Sequence, residues 1–134
     1  MRGAAEQVAR GASIRRGDIY WIAPEEDRGA VPPIPHPYVV VQDDIFNASR
    51  IGTVVVCGIT SNLKRVAEPG TVLLDEREGG LLRRSVVLAS QISSVPKAQL
   101  GVRIGALTAD RVEQILAALR LVHNLQQSRG RGAT

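Results

Sequence analysis

The sequence is poor in the residues that build cross-links, metal centres and aromatic surfaces. A single cysteine, Cys57, among 134 residues excludes an intramolecular disulfide framework and points to a reducing compartment. With two histidines and no clustered Cys/His spacing there is no ligand set for structural zinc, and neither a metal nor another cofactor is expected. No apolar stretch approaches the roughly 20 residues that span a bilayer. The N-terminal "MRGAAEQVARGASIRRG" lacks the continuous hydrophobic region of a secretory signal, so the expectation is a soluble, cytoplasmic protein with no membrane partner. A Gly-rich phosphate loop, a His-Glu zinc signature and a recognisable Ser-His-Asp arrangement are also missing, which disfavours nucleotide-dependent chemistry.

Charge is plentiful but uneven. The net charge of +4 divides into four arginines against one glutamate in residues 1–16, Arg129 and Arg131 near the end, and 11 basic against 12 acidic side chains in residues 17–128. A nucleic-acid site would therefore be a local patch, for which Lys64, Arg65, Arg83, Arg84 and Arg103 are available, and a solvated mixed surface fits the charge equally well.

Both ends, residues 1–13 and 127–134, are small, polar and Arg-rich and read as disordered tails around one domain spanning residues 14–126. "GDIYWI" from Gly17 is a short strand of β-formers. The following "APEEDRGAVPPIP" holds four prolines and a glycine, forbids regular structure and reads as a long loop able to act as a lid. "YVVVQ" from Tyr38 and "TVVVCGI" from Thr53 are uniformly apolar, as in strands buried on both faces. Between them "DDIFNAS" suits one helical turn capped by Asp43 or Asp44. "TVLLD" from Thr71, "SVVLASQIS" from Ser85 and "RIGAL" from Arg103 add three strands. From Thr108 as N-cap, Val112, Ile115, Leu116, Leu119 and Val122 follow helical spacing. Six short strands and one amphipathic helix predict a mainly β domain with some α, a small curved sheet or barrel covered on one side by the C-terminal helix.

Two stretches carry chemistry. In "PIPHPYVVVQDD", from Pro33, His36 lies between two prolines that fix φ and remove backbone donors, which presents the imidazole on a stiff arm at the head of a strand. "GITSNLKR", Gly58 to Arg65, sets Thr60, Ser61 and Asn62 at a strand exit before two cations, a donor set suited to phosphate oxygens; a plain polar loop exit would look the same. Other features have simpler readings. Arg16-Gly17-Asp18 is a turn before a strand rather than an adhesion ligand, Cys57 is a small buried hydrophobe, and His123 suits the C-terminal end of a helix dipole.

Taken in order, "RRGDIYW", a Pro-rich loop, "PYVVVQDDIFN", "VVVCGITSNLKR", "SVVLASQISSV", "LGVRIGALT" and the closing helix resemble the MazF/PemK family of toxin endoribonucleases over residues 15 to about 125. The resemblance implies a small SH3-like β-barrel with a packed C-terminal helix, a fold shared with the CcdB toxins. It implies a homodimeric toxin that cuts single-stranded RNA at short sequences without a metal, by attack of the 2′-hydroxyl on the adjacent phosphate, and that is held by a cognate antitoxin.

On this resemblance Thr60 matches the family's phosphate-stabilising threonine, and Ser61, Asn62, Lys64, Arg65, Arg83, Arg84 and Gln91 are the RNA-binding candidates. The family's second catalytic residue is an arginine directly before the proline of the second strand, and here that position is His36. The chain departs elsewhere too, with Gly29-Ala30-Val31 in the loop and Ser90 where an acidic residue often precedes the matching Gln91. Two consequences of His36 stay open. A histidine titrates near neutrality and moves protons more readily than an arginine, whose pKa exceeds about 12. Loss of a permanent planar cation also weakens phosphate binding, which would leave a slowed enzyme or an RNA-binding dimer. Gyrase inhibition in the manner of the CcdB toxins is a further alternative. The four aromatic residues offer few stacking platforms, so base recognition is expected to lean on hydrogen bonds.

Overall fold

The computed structural model of the chain describes residues 13–23 and 34–132, the last eight of these by backbone only. Most of the Pro-rich loop read as a lid, residues 24–33 with Gly29-Ala30-Val31, and residues 1–12 and 133–134 of the two tails lie outside the described residues.

Six strands form one sheet: β1 (Asp18–Ile22), β2 (His36–Val40), β3 (Thr53–Thr60), β4 (Thr71–Leu74), β5 (Ser85–Pro96) and β6 (Leu100–Ala106). Their spatial order is β4-β5-β3-β2-β1-β6, and every pairing is antiparallel. A single-turn helix α1 (Asp44–Asn47) follows β2, and helix α2 (Ala109–Gly132) closes the chain. Asp43 caps α1 by accepting from the Ile45 N–H, and the Thr108 hydroxyl accepts from the Arg111 N–H at the start of α2. The α2 backbone continues past residue 126 to Gly132; Gln127, Ser128 and Arg129 are all compatible with a helix, and the two glycines, Gly130 and Gly132, fall only in its last turn.

The apolar runs of β2 and β3 take the two central positions that their composition requires. Alternating side chains divide between two clusters on opposite faces of the sheet. Ile19, Val39, Cys57, Ile59 and Val87 join Leu74, Leu81, Leu107 and Ile115 of α2 in one. Tyr20, Ile22, Val40, Val54, Val56 and Leu100 form the other. Each fully buried valine or leucine contributes about 1.5–3 kcal/mol. Burial pushes the Cys57 thiol up to about 12, consistent with an inert core residue. Asp18 is buried as well: it accepts from the Arg15 N–H at 3.0 Å and pairs with Arg103 at 3.2 Å. Burial, and then the charge of Asp18, push the Tyr20 hydroxyl up to about 12. The Arg-Gly-Asp triplet is thus a turn, with Gly17 at φ +97° and its aspartate spent internally.

The strand ladder is not closed: β4 and β6 are its two edges. The connection from β4 to β5 crosses the gap between them. Its 3-10 turn Glu78–Gly80 runs through Gly79 and Gly80 at φ +64° and +84° and lies on β6, where a Cβ on Gly80 would collide with the Ile104 carbonyl and one on Gly105 with the Gly79 carbonyl. Helix α2 anchors this strap. Arg111 grips Glu78 with both ends of its guanidinium, at 2.6 and 3.0 Å, and reaches Asp75 at 3.4 Å.

Burial alone would raise the Glu78 carboxyl, but hydrogen bonds from Arg111 and from the Asp75 N–H, with the charge of Arg111, hold it below the ordinary glutamate range. Arg111→Ala should therefore cost about 2 kcal/mol in urea unfolding at neutral pH. A depressed folded-state pKa gives stability that is present above the unfolded value and lost as pH falls through the folded one. The gap between parent and variant is accordingly expected to close on acidification through the carboxylate range, and a gap independent of pH would remove Glu78 from the strap's anchorage.

Candidate active site

The end of β1, the head of β2 and the end of β3 meet at one edge of the molecule. His36 pairs with Ile22 and Pro37 with Trp21 across β1 and β2. On the other side Tyr38 pairs with Gly58, and extending that antiparallel register by two residues sets Thr60 opposite His36. The two residues, taken from separate stretches of sequence, line one cavity of about 430 Å³. Its other walls are Trp21, Ile34, Pro35, Pro37, Ile59 and Ser61, with Gly80, Leu81, Leu82, Arg83, Ser85 and Ile104 supplied by the strap, the start of β5 and β6.

His36 is exposed and opens β2, as its flanking prolines dictate. Thr60 is half-buried, and its Oγ1 accepts from the Asn62 N–H at 3.1 Å. That bond fixes the side chain and leaves the hydroxyl proton without an acceptor among the described residues. Asn62 in turn caps the 3-10 turn Leu63–Ala67, its Oδ1 accepting from the Lys64 N–H at 3.3 Å. The polar "TSN" exit is therefore held by local hydrogen bonds that a flexible loop would not have.

The cations separate into two groups. Lys64, Arg83 and Arg84 are exposed and make no ion pair among the described residues, and Arg83 lines the cavity. Arg65 instead closes on Glu68 through two bonds, 2.6 and 3.0 Å, in an i,i+3 pair. That hydrogen bonding raises the Arg65 pKa and lowers that of Glu68. The guanidinium of Arg103, half-exposed, is engaged by Asp18. Gln91 lies away from the cavity. It sits in a bulge of β5, between the pairs Gly58↔Leu88 and Cys57↔Ile92, and its side chain folds over Gly58 beside the Tyr38 ring. A Cβ at Gly58 would come within 3.1 Å of Gln91 Oε1, so the glycine makes room for both neighbours.

Trp21 is the residue that sequence reasoning passed over. At 42% exposed it lines this cavity and a second, more open hollow formed with Ala23, Pro35, Gln99, Gly101 and Val102. The only signal in the sequence is its place on the outward step of a short strand just before the Pro-rich loop. Among the described residues, no group of three or more His, Cys, Asp or Glu side chains is placed to hold a metal ion.

Residues 15–123 match the family described as PemK-like, MazF-like toxin of type II toxin-antitoxin system. The chain belongs to this toxin family. It is 37% identical over 112 residues to the endoribonuclease MazF6 of Mycobacterium tuberculosis, covering 84% of this chain and 98% of that protein. It is 30% identical over 112 residues to the endoribonuclease EndoA of Bacillus subtilis, covering 81% and 92%. Among solved structures, MazF in a MazE–MazF complex from Deinococcus radiodurans superposes with a TM-score of 0.70 at 20% identity, covering 84% of this chain and 96% of that one. A mycobacterial endoribonuclease in complex with its cognate antitoxin gives 0.66 at 23% identity, with the same coverage. Both structural likenesses support the fold, the open six-stranded sheet with its C-terminal helix.

Proposed function

We propose that this chain is the toxin of a type II toxin-antitoxin module and an endoribonuclease that cleaves single-stranded RNA in the cytoplasm without a metal. The family match and the endoribonucleases it resembles support the activity. The observation that carries the mechanism is the meeting of His36 and Thr60, from adjacent antiparallel strands, in one cavity that Arg83 also lines.

In the reaction, neutral His36 takes the proton of a ribose 2′-hydroxyl, whose oxygen attacks the neighbouring phosphorus. The imidazolium so formed is the proton donor for the 5′-oxygen as the P–O5′ bond breaks. The products are a 2′,3′-cyclic phosphate and a free 5′-hydroxyl, and no atom is required from water or cofactor. The Thr60 hydroxyl proton and the Arg83 guanidinium donate to the non-bridging oxygens as charge grows on them. Ser61, Asn62, Lys64 and Arg84 hold the flanking phosphates. Arg65 acts mainly in its pair with Glu68, and Gln91 in the bulge beside Gly58 and Tyr38. The protein works as a homodimer, and its cognate antitoxin covers the groove that RNA would occupy.

Purified protein incubated with a long single-stranded RNA in excess chelator should yield fragments ending in cyclic phosphate. Thr60→Ala should reduce the rate on the order of 10² while the melting curve stays put. RNA retained but uncut by the parent protein would leave only a binding function, and parental turnover in Thr60→Ala would take the threonine out of the mechanism.

The separation of the cations makes a second prediction. Each phosphate contact removed from a single strand lowers the slope of log affinity against log salt by about 0.7. Lys64→Ala, Arg83→Ala and Arg84→Ala are each expected to do so, measured by oligonucleotide titration between low and moderate salt, whereas Arg65→Ala is expected to leave the slope as it was.

A further inference from the structure

Arg111 spends its guanidinium inside the fold. Its Nε and one terminal nitrogen donate to the two carboxylate oxygens of Glu78 at 2.6 and 3.0 Å, the same terminal nitrogen reaches Asp75 at 3.4 Å, and the other donates to Gln114 Oε1 at 3.0 Å. Its backbone N–H donates to the Thr108 hydroxyl at 3.3 Å. The residue is not among those that line the cavity. Nor does α2 gain from it, because a cation in the first turn is opposed by the positive end of the helix dipole. Its contacts serve the strap.

The strap needs such a tie. Arg77, Gly79 and Gly80 take left-handed φ values of +68°, +64° and +84°, so backbone preference does little to fix the path between them. Glu78 lies in their midst, and its Oε1 also accepts from the Asp75 N–H at 2.9 Å, so the carboxylate that Arg111 grips closes the turn as well. Further on, Leu81 is buried in the core and the Ser85 hydroxyl donates to the Arg83 carbonyl at 2.9 Å. Arg83 itself is exposed at the cavity wall, with no ion pair among the described residues to hold its side chain. Where its charge works is set by the backbone that carries it.

We propose that Arg111 is a positioning residue for RNA cleavage: by clamping Glu78 it sets the path of the strap, and through the strap the place of Arg83 in front of His36 and Thr60. The inference rests on the preceding reading, in which Arg83 donates to the phosphate oxygens as charge grows on them. A displaced cation still attracts a phosphate in the bound state, because the attraction between charges falls off slowly with distance. Its help in the transition state is lost sooner, since a donor must meet the oxygen at hydrogen-bond distance and angle. Loss of Arg111 is therefore felt in turnover rather than in binding.

The test is a double-mutant cycle on the full chain. The substrate is a short single-stranded oligonucleotide spanning a cut site mapped in a long RNA, used in excess chelator and well below the melting temperature of every variant. Arg111→Ala should lower kcat by about tenfold or more, with KM within about twofold of the parent. Its slope of log affinity against log salt should match the parent's, whereas Arg83→Ala lowers that slope. Added to Arg83→Ala, the Arg111→Ala change should cost less than about twofold more in kcat, because the group it places is already gone. Val122→Ala, about three turns further along α2 and against Gly70, should lower the melting temperature and leave kcat as it was.

A tenfold loss that persists in the Arg83→Ala background would overturn the proposal, as would parental kcat in Arg111→Ala or an equal loss in Val122→Ala. Each of these leaves the endoribonuclease reading standing. A parent that cuts no RNA would instead remove that reading, and the positioning role with it.

Discussion

Helix α2, the edge strand β6 and the cavity are linked by one close approach, the packing of Gly79 and Gly80 against the backbone of Ile104 and Gly105. Side chains on either surface would hold the two backbones apart, and at Gly79 and Gly80 the left-handed φ values add a conformational reason for glycine. Because the segment lies this close, the residues after it emerge beside the ends of β1–β3. That is how Leu81, Leu82 and Arg83 come to wall the space in front of His36 and Thr60. Arg111 holds the same segment from the helix side, so the cavity wall is tied to the element farthest along the chain.

The site is consequently a composite of rigid parts. Thr60 is oriented by the Asn62 N–H, and the backbone of His36 is placed by a strand ladder and two prolines, with the exposed cations around them. A fixed hydroxyl beside a fixed strand head suits a reaction whose barrier is lowered by placement and by donors aimed at developing charge. Exposed, unengaged cations around them suit a substrate gripped by its backbone at several phosphates.

Much of this was legible along the chain where the signal is local. The apolar runs at Val39–Val41 and Val54–Cys57, the caps at Asp43 and Thr108, and the prolines around His36 act within a few residues of where they are read, and each marks an element the structure contains. Long-range features were not legible. Nothing in "EREGG" announces that it crosses to β6, and the register that sets Thr60 opposite His36 exists only once β2 and β3 pair. Arg65 read as a free cation because its partner Glu68 competes with solvent only when the 3-10 turn brings the two together. β5 runs to Pro96, three residues beyond Ser93, since β3 supplies a partner for it that composition does not reveal.

The central claim is that His36 moves the proton in a cavity where the family resemblance implies an arginine. A rate profile of RNA cleavage from pH 5 to 8, the range in which a histidine side chain changes charge, tests it most directly when parent, His36→Arg and His36→Ala are compared. The account predicts that the parental rate rises with pH along a titrating limb, that His36→Arg, unable to take up a proton, loses the limb and keeps only the slower cleavage that a permanent cation beside the phosphate supports, and that His36→Ala loses both rate and limb. Cleavage by His36→Ala at the parental rate with the parental profile would contradict it.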